Sequence, residues 1–236
     1  LKNRKPVLIE HYDGFRFSGK IVSASKYKNT PMDFLIGQFE LPLIFQVCAV
    51  FLLAITGAIV AMERKYDFAG VFMLAFITGA SGAIIRDGVF LDRLPVMVEQ
   101  WHYLAAILLA AIITLLFFGY IKKITPIFVV VDALGLGIFG IISAQLALFA
   151  NLNVLAAVFI GLIGAVSGGI LRDIFTKNDP LLLKPGQYYI TAALAGIILF
   201  IVLCLYAGMP AQWAALIGIA VTLVIRLLSY IFNWQT

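Results

Sequence analysis

Charge is scarce in this chain: 12% of its 236 residues are Asp, Glu, Lys or Arg, while 63% are hydrophobic. Soluble domains are about a quarter charged and about half apolar, so a sizeable water-soluble catalytic domain is excluded. Cysteine is scarcer still. Cys48 and Cys204 each stand alone in an apolar run, with neither the spacing of a disulfide framework nor a CxxC pair, and they read as small core residues. Of the two histidines, His11 lies in a polar stretch and His102 stands between Trp101 and Tyr103, where a membrane-interface aromatic belt would place it. No P-loop, Ser/His/Asp set or metal-ligand cluster occurs in the sequence, so no cofactor or structural metal is expected and the chain does not read as an enzyme.

What the sequence has instead is length of apolar run. Seven such runs cover residues 41–61, 68–85, 101–121, 127–149, 154–171, 188–206 and 211–232. Each is long enough to cross a bilayer at about 20 residues per span, the second and fifth only just. The runs are continuous, without the apolar and polar alternation of a barrel strand. The expected fold is therefore an all-α integral membrane protein with seven transmembrane helices.

Residues 1–31 differ in kind, with Lys2, Arg4, Lys5, Arg16, Lys20, Lys26 and Lys28 against two acids and no apolar core of a signal peptide. Seven spans put the N-terminus on the side that holds Arg86 and Arg93. The opposite side holds Arg64, Lys65, Lys122, Lys123, Arg172, Lys177, Lys184 and Arg226. The positive-inside rule makes that second side cytoplasmic, with the N-terminus out and the C-terminus in, provided the extension is not counted. Met32 is accordingly read as the natural start, and residues 1–31 as a polar basic extension that is not native. From Met32 onward the charges balance, so no nucleic-acid partner is expected.

The chain repeats itself at an offset of 86 residues. SGAIIRD (Ser81 to Asp87) lies on SGGILRD (Ser167 to Asp173), Gln46 on Asp132, Ala58 on Ala144 and Tyr103 on Tyr189, without a gap. The organisation is thus a first three-helix repeat over 32–123, a second over 124–208, and a seventh helix with the C-terminus over 209–236. A unit with an odd number of spans must re-enter the membrane from the opposite side, which is the inverted repeat of many transporters. Such proteins place their permeation or substrate site at the repeat interface, here between spans one, two, four and five.

Candidate residues follow from the duplication. Gly79, Ser81 and Gly82 in span two, and Gly164, Ser167, Gly168 and Gly169 in span five, are small-residue clusters where membrane helices either pack closely or break open. Their recurrence favours a break lining a water-filled path. Arg86 with Asp87, and Arg172 with Asp173, close these spans; they read either as water-facing ends or as arginines reaching back to carbonyls or a carboxylate in the path, and duplication favours the second. Asp132 sits about 9 Å into span four, on the same face as Ser143. An ionisable group there must face a cavity or a partner such as Arg226, Arg172 or Arg86, and the polar stripe favours a pore wall. Arg226 itself reads as snorkelling to the interface. Trp101, Tyr103, Tyr188, Tyr189 and Trp213 read as interface anchors, Lys122 and Lys123 as a topology-setting loop, and Gly135, Gly137 and Gly140 as packing residues within or between protomers.

Two inverted three-helix units, a doubled SGxxxRD motif in the second helix of each, and an unpaired seventh helix resemble the prokaryotic branch of the trimeric intracellular cation (TRIC) channel family. The likeness covers residues 32–232. It implies a homotrimer among membrane lipids, one hourglass-shaped pore per protomer, and passive flow of potassium and also sodium. It also implies pore positions for the glycine breaks at Gly82, Gly168 and Gly169, and for Ser81, Ser167, Arg86, Asp87, Arg172 and Asp173 in the same motif. The Lys-Glu-Val lipid-binding tripeptide of animal members does not occur here. The alternative function is a secondary transporter of a small solute such as glycine, for which helix N-termini would bind a carboxylate and Asp132 would carry a coupling ion or proton. In either case the expected location is a prokaryotic plasma (inner) membrane.

Overall fold

The computed structural model describes residues 41–92, 94–121, 125–183 and 188–232. The expectations for residues 1–31, Met32, Arg93, Lys122, Lys123 and Lys184 lie outside the described residues. Within them run α1 (Leu43–Glu63), α2 (Phe68–Ile85), a short α3 (Val96–Glu99), α4 (Trp101–Ile121), α5 (Thr125–Phe149), α6 (Val154–Phe175), α7 (Tyr189–Leu205) and α8 (Ala211–Phe232). A π-helical turn, Arg86–Phe90, extends α2, and a 3-10 turn, Leu181–Leu183, follows α6. Six of the helices are long and apolar enough to cross a membrane, and α7, at 17 residues, is shorter. The chain is an integral membrane protein. Among the described residues α3 is the one α-helix that the apolar runs did not announce: Pro95 opens it, and it buries Val96 and Met97.

The 86-residue repeat reaches down to single hydrogen bonds. Lys65 and Asn151 both adopt left-handed backbone, with φ of 59° and 58°. Each ends its helix in a Schellman turn, Tyr66 N–H donating to Ala61 O (3.0 Å) and Leu152 N–H to Ala147 O (3.2 Å). The next helix then opens on a side-chain cap. Asp67 accepts from Gly70 N–H and Asn153 from Ala156 N–H, both at 2.8 Å. The α1–α2 and α5–α6 hairpins are therefore built by the same local chemistry.

These hairpins pack against one another, α1 on α5 and α2 on α6; α4 lies on α1 and α2, α7 on α5 and α6, and α8 on α7 and α5. Among the six long spans α5 is the most enclosed. Its three glycines admit three different neighbours: Gly135 faces Leu53 of α1, Gly137 faces Thr222 of α8 and Gly140 faces Ile197 of α7. They serve packing within the protomer.

The small-residue clusters do not break their helices. α2 runs unbroken through Gly79, Ser81 and Gly82, and α6 through Gly164, Ser167, Gly168 and Gly169. Close approach is what the glycines provide. A Cβ on Gly82 would lie 2.5 Å from the carbonyl oxygen of Gly164, and one on Gly168 would collide with the carbonyl of Thr78. Thr78 and Gly164 are themselves repeat equivalents, so the α2–α6 contact is reciprocal, as in an interface made by a two-fold axis. The cysteines also divide: Cys204 is buried as expected, whereas Cys48 is exposed on the outer face of α1.

Candidate functional site

Charged side chains gather inside the bundle, where a bare charge costs several kcal/mol and must find a partner. Arg86, Asp87, Asp132 and Arg172 are at most 1% exposed, and Asp173 is 4% exposed. Neither Arg-Asp motif faces water.

In the first unit, Arg86 Nε and Nη2 donate to Asp87 Oδ1 (2.7 Å) and Oδ2 (3.0 Å), a bidentate fork. Asp87 Oδ2 also accepts from Val96 N–H at 3.2 Å, which seats the first turn of α3 on the carboxylate. Across the repeat interface Arg86 Nη1 reaches Ser143 Oγ of α5 at 3.5 Å, and its guanidinium lies over Phe139. The second unit repeats this scheme. Arg172 Nε donates to Asp173 Oδ1 at 2.9 Å, Asp173 Oδ2 accepts from Leu181 N–H at 2.9 Å, and Arg172 Nη1 crosses to Thr56 Oγ1 of α1 at 3.0 Å. Each arginine is thus tied to its own aspartate and to a hydroxyl of the other unit.

The units differ at Asp132. Arg172 Nη1 also donates to Asp132 Oδ1 at 2.9 Å, and Arg226 Nη2 of α8 lies 3.6 Å from Asp132 Oδ2. Of the three arginines expected as partners, Arg172 and Arg226 therefore meet Asp132 and Arg86 does not. Arg226 is 1% exposed and stacks on Tyr189, 4.6 Å from the ring centroid, so it does not snorkel to the interface. A buried carboxylate and an aromatic face hold it inside. In the first unit Gln46 stands at the Asp132 position, and it accepts a 2.9 Å hydrogen bond from Tyr103 Oη.

The other expected residues sit around this centre. Ser167 Oγ donates to Gly164 O at 3.3 Å, Ser81 Oγ is buried without a hydrogen-bond partner, and Gly169 faces the Tyr189 hydroxyl. Tyr103 and Tyr189, expected as interface anchors, are 1% and 3% exposed and point inward, while Trp101 and Trp213 are exposed. Sequence reasoning missed Thr56, Phe139 and Phe128, whose ring centroid lies 5.1 Å from the Arg172 guanidinium carbon; a lone threonine in an apolar span was the one signal available for the first. The structure unites spans one, two, four and five around two buried ion-pair groups joined by hydroxyl contacts.

Apolar helices closed around paired internal charges define a polytopic membrane protein with a polar interior. The family model described as "Glycine transporter" matches twice, over residues 43–118 and 129–204, windows displaced by the same 86 residues. The UPF0126 membrane protein YvgT of Bacillus subtilis is 31% identical over 81% of this chain and 93% of its own length. The UPF0126 inner membrane protein YadS of Escherichia coli is 33% identical over 74% and 84% respectively. Among solved structures, the TRIC trimeric intracellular cation channel orthologue from Rhodobacter sphaeroides superposes with a TM-score of 0.75 at 32% identity, covering 81% of this chain and 98% of that one. The chain belongs to this family of UPF0126 membrane proteins and prokaryotic TRIC channels, as its doubled motif implied.

Proposed function

We propose that this protein is a cation channel passing potassium and sodium, with one pore per protomer between the two repeat units. The observation that carries the reading is the match to the Rhodobacter sphaeroides channel over 98% of that chain, combined with buried charges at the unit interface. The reciprocal α2–α6 contact and the odd number of spans per unit support an inverted repeat with seven crossings. α7 rises about 25 Å over its 17 residues, near the thickness of a hydrocarbon core. The oligomer is a homotrimer, in line with the word trimeric in that relative's description, set in the inner membrane as YadS is, with the C-terminus cytoplasmic.

In this reading the three arginines and three aspartates, Arg86, Asp87, Asp132, Arg172, Asp173 and Arg226, cancel one another, so the occluded path presents no net positive charge to a cation. Conduction requires Arg172 to leave Asp132. The released carboxylate then faces the path and raises the local cation concentration, while Ser81, Ser167 and nearby carbonyls replace part of the ion's hydration shell. A second reading, secondary transport of a small solute such as glycine, is favoured by the description of the family model.

Planar-bilayer recording in asymmetric KCl tests the choice. Unitary currents that reverse near the potassium potential and change in Ser167→Leu and Asp132→Asn are expected. A silent bilayer together with saturable, gradient-driven glycine uptake into proteoliposomes would overturn the channel in favour of the transporter.

A further inference from the structure

α8 stands outside the two repeat units, and its one charged residue, Arg226, is carried into the protein interior at 1% exposure. The helix that carries it is firmly seated. Thr222, one turn earlier, donates to Ala192 O of α7 at 3.2 Å, and a Cβ on Gly218 would lie 2.8 Å from Gly196 O. α8 therefore lies backbone to backbone on α7, and any adjustment near Asp132 falls to the arginine side chain rather than to the helix.

Asp132 holds its two arginines unequally. Oδ1 accepts from Arg172 Nη1 at 2.9 Å, the length of a charged hydrogen bond, whereas Oδ2 has no hydrogen-bond partner and Arg226 Nη2 stands 3.6 Å from it. The Arg226 guanidinium rests meanwhile on the Tyr189 ring, 4.6 Å from its centroid. It is close enough to be attracted and too far to be bonded. A movement of about 0.8 Å turns this approach into a charged hydrogen bond.

Breaking a buried ion pair is costly because it strands both charges. Between Arg172 and Asp132 neither charge would be stranded. Arg172 keeps the carboxylate of Asp173, bonded to its Nε at 2.9 Å, and Asp132 has Arg226 beside its unbonded oxygen. The first unit offers no such exchange: Gln46, bonded by Tyr103, stands at the Asp132 position, and Arg86 is forked on Asp87 by two bonds of 2.7 and 3.0 Å.

We propose that Arg226 is a positioning residue for the path, the second seat of Asp132: when Arg172 lets go, Oδ2 passes to Arg226, and Oδ1, now vacated, faces the path. The helix outside the repeat thereby acquires a task, to carry the charge that receives a carboxylate released within the second unit. This rests on the reading above in which conduction separates Arg172 from Asp132, and it makes Arg172 the mobile arginine and Arg86 the fixed one.

Thermal unfolding of the purified full chain in detergent tests the exchange without any current, so its failure is separate from a failure of the conductance experiment. Arg226→Met alone should lower Tm by only about 2 °C, Arg172→Gln alone by more, and the two together by about twice the sum, because Asp132 is then stranded. Adding Asp132→Asn to the double variant should return most of the loss, and Arg226→Lys in place of Arg226→Met should spare most of it. Additive losses, or a double variant that Asp132→Asn does not rescue, would overturn the proposal. Planar-bilayer recording supplies the readout that a fixed structural contact does not move. A seat used only after Arg172 has left stabilises the conducting state alone, so Arg226→Met should cut open probability about tenfold, the worth of one hydrogen bond to a charge, and Arg226→Lys should restore much of it. An unchanged or raised open probability would mean that Arg226 braces Asp132 equally in every state and would overturn the handover. A wild-type protein that conducts nothing would remove the channel reading, and the unfolding cycle then decides by itself whether Arg226 seats Asp132.

Discussion

Gly82 of α2 rests against the backbone carbonyl of Gly164 in α6, so closely that a methyl group on Gly82 would stand 2.5 Å from that oxygen. Glycine at the equivalent position, Gly168, meets Thr78 in the same way. The two units are held together at their centre by backbone against backbone, and side-chain size there is fixed by the neighbour.

Gly82→Ala and Gly168→Ala should each destabilise the protein by about 1–3 kcal/mol, because the obstacle is backbone that cannot rotate away. Gly119 of α4 has nothing within 4 Å of its missing Cβ. Gly119→Ala should be neutral or raise stability by up to about 1 kcal/mol through helix propensity alone. Thermal unfolding in detergent separates the cases, and equal losses at positions 82 and 119 would contradict the packing account.

Asp132 answers two buried arginines, so its removal exposes both. Asp132→Ala should cost about 3–5 kcal/mol, the range for breaking one side of a buried pair. Adding Arg226→Met should recover part of the loss, since it withdraws one of the stranded charges. A double-mutant cycle by chemical denaturation measures the coupling. Strictly additive effects would show that the 3.6 Å approach carries no energy.

Arg86 and Arg172 occupy the same motif but not the same surroundings. Arg172→Gln leaves Asp132 with Arg226 at 3.6 Å and removes the 3.0 Å bond to Thr56, whereas Arg86→Gln forfeits its Asp87 fork and one long contact to Ser143. The second-unit substitution should therefore lower the melting temperature more. The reverse order would refute the asymmetry.

Asp67→Ala and Asn153→Ala remove matching helix caps, and each should cost about 1 kcal/mol, the ordinary value for a lost N-cap. Near-equal losses in thermal unfolding are expected from their identical 2.8 Å geometry. A loss at one site only would mean that the repeat is not matched in energy there.

Helix positions were legible in the sequence because the runs are continuous and the charged or Pro-bearing joints are short; the seven expected runs coincide with α1, α2 and α4 to α8 within four residues at either end. The Arg-Asp motifs were legible because they occur twice. Which way a side chain points was not. A helix that is apolar all round shows no stripe to mark its inner face, so Tyr103 and Tyr189 read as interface anchors and Arg226 as a snorkelling end. The glycine clusters misled for a related reason. Their intrinsic helix penalty suggests a break, but the partner backbone that offsets it, Gly164 for Gly82 and Thr78 for Gly168, lies on the other repeat unit and becomes visible only when α2 and α6 are brought together.

After Arg86 the chain takes a π-helical turn, while α6 continues as α-helix past Arg172. The sequence register is the same on both sides, but the backbone is not, so the two halves of the molecule are not interchangeable at the point where each arginine is held. A conduit with identical mouths passes current equally in both directions. Under the proposed channel function, a path whose two arginines are held by different partners, the second also by Asp132, is expected to pass current unequally in the two directions.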